Sequence, residues 1–488
     1  MGEQIQKPGV FLRVPRQLIQ VEGRACPDHS FAKEGEDILY SVAFRKLSAK
    51  TQVFGSDAEE HLRTRLTHTL EVARISVNMA EQLGFDGKLA EAIALGHDIG
   101  HTPFGHVGER ALHRFSSGED RKYTTKKGNA VRIPECLKGF KHNLQSVRLL
   151  VDYTPGCSFS NFVLYGIRGH SSLTYKKLGE AGKTKFYDRY EKNCSIILEE
   201  TDRRAMPAWS VEAFLVKWAD EIAQRHHDLE DAYFQKIMSS RQIMRQLDGL
   251  VSLADTDELQ DLYKKLDEIS GEENEIPNKE EGCFPRYLGK FVIDLYTHCC
   301  VKEFGSALEQ LIEDYNLQSI EDFADKYPEI PEKTIKRRLS LEGTPIEQAD
   351  RHLTKSLRFA ILDSYEVQRL DGRSEYLVRR LLRAFKSNPQ QLPDSYINRL
   401  MKTEIYELLL GGEREKLLAE INAHLQYAVG RKQVKRWANY ESRNALRVLL
   451  EKEETEQIIS PALMRVVFDY VGAMTDRSAY EEYRELYE

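Results

Sequence analysis

The segment with the clearest chemical content is residues 97–109, which read HDIGHTPFGHVGE. It holds three histidines and two carboxylates among glycines and a proline, and four of the chain's 14 histidines fall between positions 97 and 113. Packing does not explain such a density of groups that titrate near neutral pH. Imidazoles and carboxylates together are the groups that a divalent metal site or acid–base chemistry at pH 7 requires.

Four residues in three parts of the chain form a candidate metal site: His68, His97, Asp98 and Asp220. His97 and Asp98 stand at the end of a predicted helix, where the chain leaves helical geometry and can present both side chains to one ion. Two imidazoles and two carboxylates suit Mn, Mg, Fe, Co or Ni. A structural zinc site is disfavoured, because such sites are rich in thiolates. An isolated His-Asp pair is more often a hydrogen-bonded helix end, so the prediction depends on the whole set.

The elements that would position these residues are helices almost throughout. Apolar residues recur at steps of three and four over 66–83, and Gly84 follows where a helix-terminating glycine is expected. A second helix is predicted over 88–97. Further helices are predicted at 142–152, 210–250, 290–315, 352–387, 395–425, 440–453 and 460–487. The predicted fold class is therefore all-α, with few short strands, one of them near 51–54.

Length, charge and cysteine content limit the class of protein. A chain of 488 residues with 30% charged residues is long enough for two to four domains of ordinary globular composition. Its formal net charge of −7 excludes a globally basic nucleic-acid surface. The seven cysteines form no CxxC pair and predict free thiols. The N-terminus lacks an apolar signal region and no membrane-spanning run is evident, so we expect a cytoplasmic protein.

The ordered motifs of the chain resemble those of a known enzyme group. The motifs lie at 44–47, 50–54, 63–72, 97–109, 142–146, 220–231 and 469–477. His68, the pair at 97–98 and Asp220 match the H…HD…D signature of the HD superfamily of metal phosphohydrolases. The fuller set resembles deoxyguanosinetriphosphate triphosphohydrolase-like proteins over nearly the whole chain. A lone His-Asp pair would be weak evidence, whereas HDxGHxPFGHxGE with ordered flanks is a specific pattern.

The resemblance implies a second group of residues that act on the substrate phosphates. These catalytic candidates are His101, His106, Glu109 and His142. In the implied mechanism one divalent metal, Mn or Mg in first place, polarises the α-phosphate and acidifies a water molecule. His101 with Glu109 orients and deprotonates that nucleophile with the help of His142. His106 protonates the departing 5′ oxygen of the sugar.

The resemblance also implies substrate contacts. Arg65 would contact phosphate, Gln52 would lie near the sugar or base, and Asp228 would accept from the sugar 3′-hydroxyl. One position departs from the family pattern, because Gln224 stands where a tyrosine usually packs against the sugar C2′. We include Gln224 among the substrate-binding candidates, and we expect it to alter sugar or base selectivity.

The predicted function is metal-dependent hydrolysis of a deoxynucleoside triphosphate, with dGTP as the first candidate, to deoxynucleoside and inorganic triphosphate. One alternative is another HD phosphohydrolase reaction, on a phosphomonoester or a phosphodiester. A second alternative is a nucleotide-sensing or single-stranded-DNA-binding protein without turnover. A second metal held by His170, His226 and His227 is disfavoured, because two-metal HD phosphodiesterases space their extra ligands differently.

Three cationic stretches extend the range of possible partners. They are 336–338, 379–386 and 431–437. They could bind a dNTP effector or single-stranded DNA, with Trp437 stacking on a base, although a solvated helix face is the more common role of such stretches. The resemblance further implies a homo-oligomer, from dimer to hexamer. No membrane partner is expected.

The predicted organisation has four parts. Residues 1–40 form an N-terminal segment and 40–253 the HD phosphohydrolase core. Residues 254–282, rich in acidic side chains, are predicted to be an insertion or irregular loop, and 116–141 is a second irregular segment. Residues 283–488 form a C-terminal helical region that completes the pocket and the oligomer.

Overall fold

A computed structural model describes the chain at residues 7–51, 63–117, 139–171, 195–197, 205–272, 283–401 and 435–488. Contacts between Cα atoms divide the chain into two compact units. The first unit contains residues 1–100, 143–172 and 189–370, and the second contains 101–142, 173–188 and 371–488.

Helices dominate the part of the chain that the structure describes, so the predicted all-α class is confirmed. In chain order they are α1 Phe31–Leu39, α2 Val42–Arg45, α3 Arg65–Leu83, α4 Gly87–Gly96, α5 Gly105–Ser117, α6 His142–Tyr153, α7 Asn161–Gly169, α8 Val211–Phe234, α9 Ser240–Val251, α10 Asp257–Glu272, α11 Cys283–Asp314, α12 Ile320–Lys326, α13 Glu332–Arg338, α14 Pro345–Leu357, α15 Tyr365–Ser387, α16 Asp394–Arg399, α17 Lys435–Glu451, α18 Glu453–Gly472 and α19 Asp476–Tyr487.

Strands are short in the described residues. β1 (Gln20–Val21) pairs antiparallel with β2 (Arg24–Ala25), and β3 (Ser195–Ile197) pairs antiparallel with β4 (Ala205–Pro207). Near the extended piece predicted at 51–54, Thr51 forms an isolated bridge with Thr64, and residues 52–62 lie outside the described ranges.

The core of the first unit is built on α3, α4 and α8. Helix α3 packs on both α4 and α8, α1 packs on α4, and α11 packs on α8. Helix α3 begins at the side chain of Thr64, which accepts from the backbone N–H of Thr67, and ends at Gly84 with φ 84°. The predicted stop is confirmed, because a left-handed residue after a helix favours glycine.

The end of α4 lies unusually close to α7. A Cβ atom at Gly96 would collide with Ile167, and one at Gly166 would collide with Ile93. An isoleucine of the facing helix therefore packs against each glycine, and a larger residue in place of either glycine would push the helices apart. This contact fixes the helix end from which His97 and Asp98 extend.

Predicted helical stretches are broken in three places, one of them at 473–475, between α18 and α19. The stretch predicted as one helix over 210–250 is two helices, because Lys236 adopts φ 54° and a new capping box starts at Ser239. The stretch predicted over 352–387 is interrupted by a π-helical turn at Arg358–Leu362. Most of the predicted helix at 395–425 lies outside the described residues.

The acidic segment is more regular than predicted. Residues Asp257–Glu272 form α10, where the prediction of an irregular loop is wrong, while 273–282 lie outside the described ranges. Thr256 accepts from the backbone N–H of Leu259, and Leu259 and Leu266 are buried. The apolar residues thus keep a helical period, and the many acidic residues occupy the other faces.

In the second unit α18 packs on α5, α16 and α17. Among the described residues no single helix is long and apolar enough to cross a membrane. Helices α18 and α19 reach that length and composition only when taken together, and they are bent by 118° relative to each other. Among the described cysteines, Cys26, Cys157, Cys299 and Cys300 are free thiols, as predicted.

Candidate metal centre and histidine cluster

The four predicted metal ligands come together in the first unit. Helix α3 supplies His68 from its first turn, the end of α4 supplies His97 and Asp98, and α8 supplies Asp220. The ligand atoms of His68, His97 and Asp98 lie within 4.8 Å of one another. Asp220 joins them, because its Oδ1 lies 3.0 Å from His68 Nε2 and 3.9 Å from His97 Nε2.

A hydrogen bond at Nδ1 of His97 orients the ring so that Nε2 faces the other predicted ligands. His97 Nδ1 bonds to the backbone oxygen of Ala94 at 2.7 Å, so Nδ1 carries the proton and Nε2 keeps its lone pair. His97 Nε2 is buried without a hydrogen-bond partner among the described residues and lies 3.5 Å from Asp98 Oδ1. A buried nitrogen lone pair facing carboxylate oxygens fits a divalent ion.

The turn after α4 is held by a single hydroxyl. Ser146 of α6 donates its Oγ hydrogen to the backbone oxygen of His97 at 2.9 Å and accepts from the backbone N–H of Gly100 at 2.9 Å. The two bonds bracket Asp98. They keep the backbone of the His-Asp turn in one conformation.

The two carboxylates of the centre have hydrogen-bond partners, His68 for Asp220 and Arg65 for Asp98. Burial alone would raise the pKa of Asp220, but the hydrogen bond with His68 and the proximity of His97 outweigh it and lower the pKa below its ordinary range. Arg65 Nη1 donates to Asp98 Oδ2 at 2.6 Å. Asp98 therefore presents Oδ2 to the arginine and Oδ1 to the ligand set.

Two residues that the sequence analysis did not select, Glu71 and His227, lie on the Nδ1 side of His68, away from Asp220. His227 Nδ1 lies 3.3 Å from His68 Nδ1, and His227 Nε2 lies 2.6 Å from Glu71 Oε2. Burial lowers the pKa of His227 to about 3, so the ring is neutral at pH 7. The signal was present in the sequence, because Glu71 follows His68 by three residues and His227 follows Asp220 by seven, spacings that keep each pair on one helix face.

The candidate catalytic residues form a cluster within the second unit. His101, His106, Glu109 and His142 offer ligand or proton-transfer atoms within 4.8 Å of one another. The rings of His101 and His142 stack at 3.8 Å between centroids with 16° between planes, and His106 lies 5.0 Å from His101. Stacked rings do not direct their lone pairs at one ion, so this geometry favours proton transfer over metal binding.

Glu109 is the buried anion of this cluster. It accepts a short hydrogen bond from His142 Nδ1 and bonds from Lys141 Nζ at 3.1 Å and from the backbone N–H of His142 at 3.4 Å. Burial opposes ionisation, but the charges of His142 and Lys141 outweigh it, and the pKa of Glu109 falls well below its ordinary range. Lys141 is a further member of the cluster that the sequence analysis missed, because only its position before His142 distinguishes it.

The loop that carries the cluster is strained and anchored. Phe104 adopts φ 60°, a conformation that non-glycine residues rarely take, and its backbone N–H donates to Asp476 Oδ1 at 2.8 Å. A Cβ atom at Gly108 would collide with the backbone oxygen of Pro103. The C-terminal motif at 469–477 therefore contributes to this loop through Asp476, within the same unit.

The predicted substrate residues have different environments. Gln224 Nε2 donates to Asp228 Oδ1 at 2.5 Å, and burial raises the pKa of Asp228 to about 6. Arg65 is 1% exposed and bonded to Asp98, so the described contact is with a predicted metal ligand. Gln52 lies outside the described residues.

The cationic stretch at 379–386 lines a cavity. Arg379, Arg380 and Arg383 border a cavity of about 450 Å³ on α15, together with Gly372, Glu375 and Tyr376. At the end of α13, Arg338 pairs with Asp314. The side chains of 431–437 lie outside the described part of the chain.

Comparison with known proteins agrees with the resemblance predicted from the sequence. The HD domain model matches residues 65–156. A deoxyguanosinetriphosphate triphosphohydrolase-like protein of Geobacter metallireducens is 27% identical over 472 residues, covering 95% of this chain and 90% of the relative. Relatives of the same description from Geobacter sulfurreducens and Azoarcus sp. are 28% and 29% identical, covering 75% and 78% of this chain and 80% and 86% of their own lengths.

Proposed function

We propose that this chain, which carries an HD domain and is similar over most of its length to deoxyguanosinetriphosphate triphosphohydrolase-like proteins, is a metal-dependent phosphohydrolase that cleaves a deoxynucleoside triphosphate to deoxynucleoside and inorganic triphosphate. dGTP is the first candidate substrate. The observation that carries the proposal is the convergence of His68, His97, Asp98 and Asp220 around the lone pair of His97 Nε2.

These four residues support a divalent ion at this centre, with Mn or Mg as the first candidates. When bound, the ion supplies Lewis-acid polarisation of a phosphoryl oxygen and acidifies an attacking water molecule. His97 contributes a nitrogen whose tautomer is fixed by Ala94. Asp98 contributes the oxygen that Arg65 leaves available.

The histidine cluster supplies the proton transfers. Glu109 stabilises the positive charge that His142 gains when it takes a proton, with its own pKa low enough to remain ionised. His101 stacks on His142 and is oriented by that contact. The exposed His106 is the candidate acid for the departing 5′ oxygen.

Asp228 and Gln224 are the candidate sugar contacts. The Gln224 amide donates to Asp228 and occupies the position from which the expected tyrosine would exclude a 2′-hydroxyl. A phosphate contact of Arg65 remains a prediction beside its bond to Asp98. A dNTP effector or single-stranded DNA on the cationic stretches, and a homo-oligomer, also remain predictions.

The decisive experiment is product analysis by chromatography with mass detection. The purified chain is incubated with Mn or Mg and each dNTP and rNTP, singly and in dNTP mixtures. Deoxynucleoside with intact triphosphate is the expected result. Orthophosphate or a nucleoside monophosphate would assign another HD reaction, and no turnover with tight nucleotide or DNA binding would assign the sensor role.

Variants separate catalysis from binding. Asp98→Ala is expected to abolish turnover and metal binding, whereas Glu91→Gln, at a partly exposed position of α4, the helix that ends shortly before Asp98, is the matched control. His106→Ala and Glu109→Ala are expected to lose turnover and keep nucleotide binding. Retained turnover in Asp98→Ala would contradict the metal-dependent mechanism.

A further inference from the structure

We propose that Glu71 and His227 are positioning residues that set the tautomer of His68 and so prepare it to bind the metal ion. The inference deepens the proposed function and rests on its metal centre. It starts from two contacts in the first unit: Glu71 Oε2 to His227 Nε2 at 2.6 Å, and His227 Nδ1 to His68 Nδ1 at 3.3 Å.

The carboxylate end of this chain of contacts accepts hydrogen bonds. Glu71 Oε1 lies 3.5 Å from Arg63 Nε, and an arginine partner keeps the group as a carboxylate, which has no hydrogen to donate. The hydrogen between Glu71 and His227 must therefore be on His227 Nε2. A neutral imidazole carries one ring hydrogen, so His227 Nδ1 has a lone pair.

The same logic continues to His68. Because His227 Nδ1 accepts, the hydrogen in the 3.3 Å contact belongs to His68 Nδ1. His68 Nε2 faces Asp220 Oδ1 at 3.0 Å, on the side where the ligand atoms converge, and the hydrogen that it donates to this carboxylate in the metal-free protein is the one that an ion would replace. The relay thus reproduces for His68 what the backbone oxygen of Ala94 does directly for His97.

A competing role for these groups is a second metal site, since the ligand atoms of Glu71, His226 and His227 also lie within 4.8 Å of one another. The positive charge of Arg63 opposes it. Its guanidinium contacts Glu71 and also Glu230, through Nη1 at 2.6 Å, and its Nη2 lies 3.3 Å from His226 Nε2. A cation is therefore already present in this cluster.

The substitution Glu71→Gln tests the relay. The glutamine amide can donate to His227 Nε2, so the ring hydrogen of His227 moves to Nδ1. His68 then accepts at Nδ1 and takes the tautomer with its hydrogen on Nε2. The matched control is Glu230→Gln, which removes a negative charge from the same cluster. Glu230 bonds to His226 and contacts neither His227 nor His68, the two rings of the relay. His227→Phe removes the acceptor with a ring of similar size.

The measurement is titration of metal-free full-length protein with Mn²⁺ by calorimetry, with circular dichroism to verify folding. We expect one Mn²⁺ per chain in the unsubstituted protein, an affinity about 10- to 100-fold weaker in Glu71→Gln and His227→Phe, and a change of no more than about threefold in Glu230→Gln. Nitrogen-15 spectra of labelled histidines should find a hydrogen on His68 Nδ1 before substitution and none there in Glu71→Gln.

Three results would overturn the inference. Unchanged affinity in folded Glu71→Gln and His227→Phe would remove the relay and leave the metal centre intact. Equal losses in Glu71→Gln and Glu230→Gln would reduce the effect to charge. Two Mn²⁺ per chain, falling to one in Glu71→Gln, would assign Glu71 to a second metal. By contrast, an unsubstituted protein without Mn²⁺ affinity would overturn the metal centre of the proposed function itself.

Discussion

The guanidinium of Arg65 donates through Nη1 to Oδ2 of Asp98 across 2.6 Å, and the two residues are only 1% and 4% exposed. The first turn of α3 is thereby tied to the residue that follows the end of α4. A buried pair of this kind contributes little net stability, but loss of one partner leaves a charge without compensation.

Arg65→Ala is therefore expected to destabilise the metal-free protein by about 3 kcal/mol or more, because the Asp98 carboxylate stays buried. Mn²⁺ should restore part of that loss, since an ion at the centre compensates the same carboxylate. Urea denaturation with and without Mn²⁺ measures both effects. Arg74→Ala, at an exposed position of α3, is the control. Equal stabilities of Arg65→Ala and Arg74→Ala would disprove the dependence on Asp98.

Glu109→Gln should lower kcat by about 100- to 10,000-fold and leave Mn²⁺ affinity unchanged. The amide cannot stabilise a protonated His142, and Glu109 is not among the metal ligands. Steady-state kinetics and calorimetry give the two readouts. Glu375→Gln is the matched control in the same unit, because that carboxylate pairs with Arg114 and Arg379 outside the cluster. A fall in metal affinity as large as the fall in kcat would argue against a separate proton-transfer role.

Gln224→Tyr is expected to raise the preference for dGTP over GTP, by about 10- to 100-fold in the ratio of kcat/KM values. The ring would occupy space beside the sugar that the amide leaves open, and it would also remove the bond to Asp228. Gln224→Ala removes that bond without adding a ring and serves as the control. If both variants shift the ratio alike, the effect belongs to Asp228 and not to sugar exclusion.

Glu212 predicts a pH dependence of stability. Burial raises its pKa from the ordinary 4.5 to about 7, while its Oε1 accepts from the backbone N–H of Asp86 at 3.1 Å. Below pH 4.5 the carboxyl is protonated in both states and contributes no pH dependence. Between 4.5 and 7 only the unfolded chain releases the proton, so stability falls as pH rises, by at most roughly 3 kcal/mol above pH 7.

Glu212→Gln should remove this loss, so the variant is expected to be more stable than the unsubstituted protein at pH 8 and nearly equal to it at pH 4.5. Thermal unfolding at both pH values measures the difference. Glu91→Gln, an exposed carboxylate that pairs with Lys88, should change stability little at either pH. A Glu212→Gln variant less stable at pH 8 would mean that the ionised carboxylate is favoured in the fold.

Several features of the fold and the site follow local patterns and could be predicted. The end of α3 at Gly84 follows from the apolar period and the left-handed glycine. The convergence of His68, His97, Asp98 and Asp220 was predictable because the types and order of these residues are specific. The irregular loop predicted for the acidic segment was wrong at Asp257–Glu272, where the acidic residues concealed the apolar period that forms α10.

By itself, the sequence determined which residues are available for chemistry and which helices carry them, because hydrophobic period, caps and motif spacing act over one or two turns. Only the tertiary structure decided what each of these residues contacts. Arg65 meets Asp98, Glu71 meets His227, and Ser146 brackets the His-Asp turn because distant helix faces pack together. Hydrogen-bond partners across such faces depend on the rotation and spacing of whole helices, and these are settled by packing of the entire core.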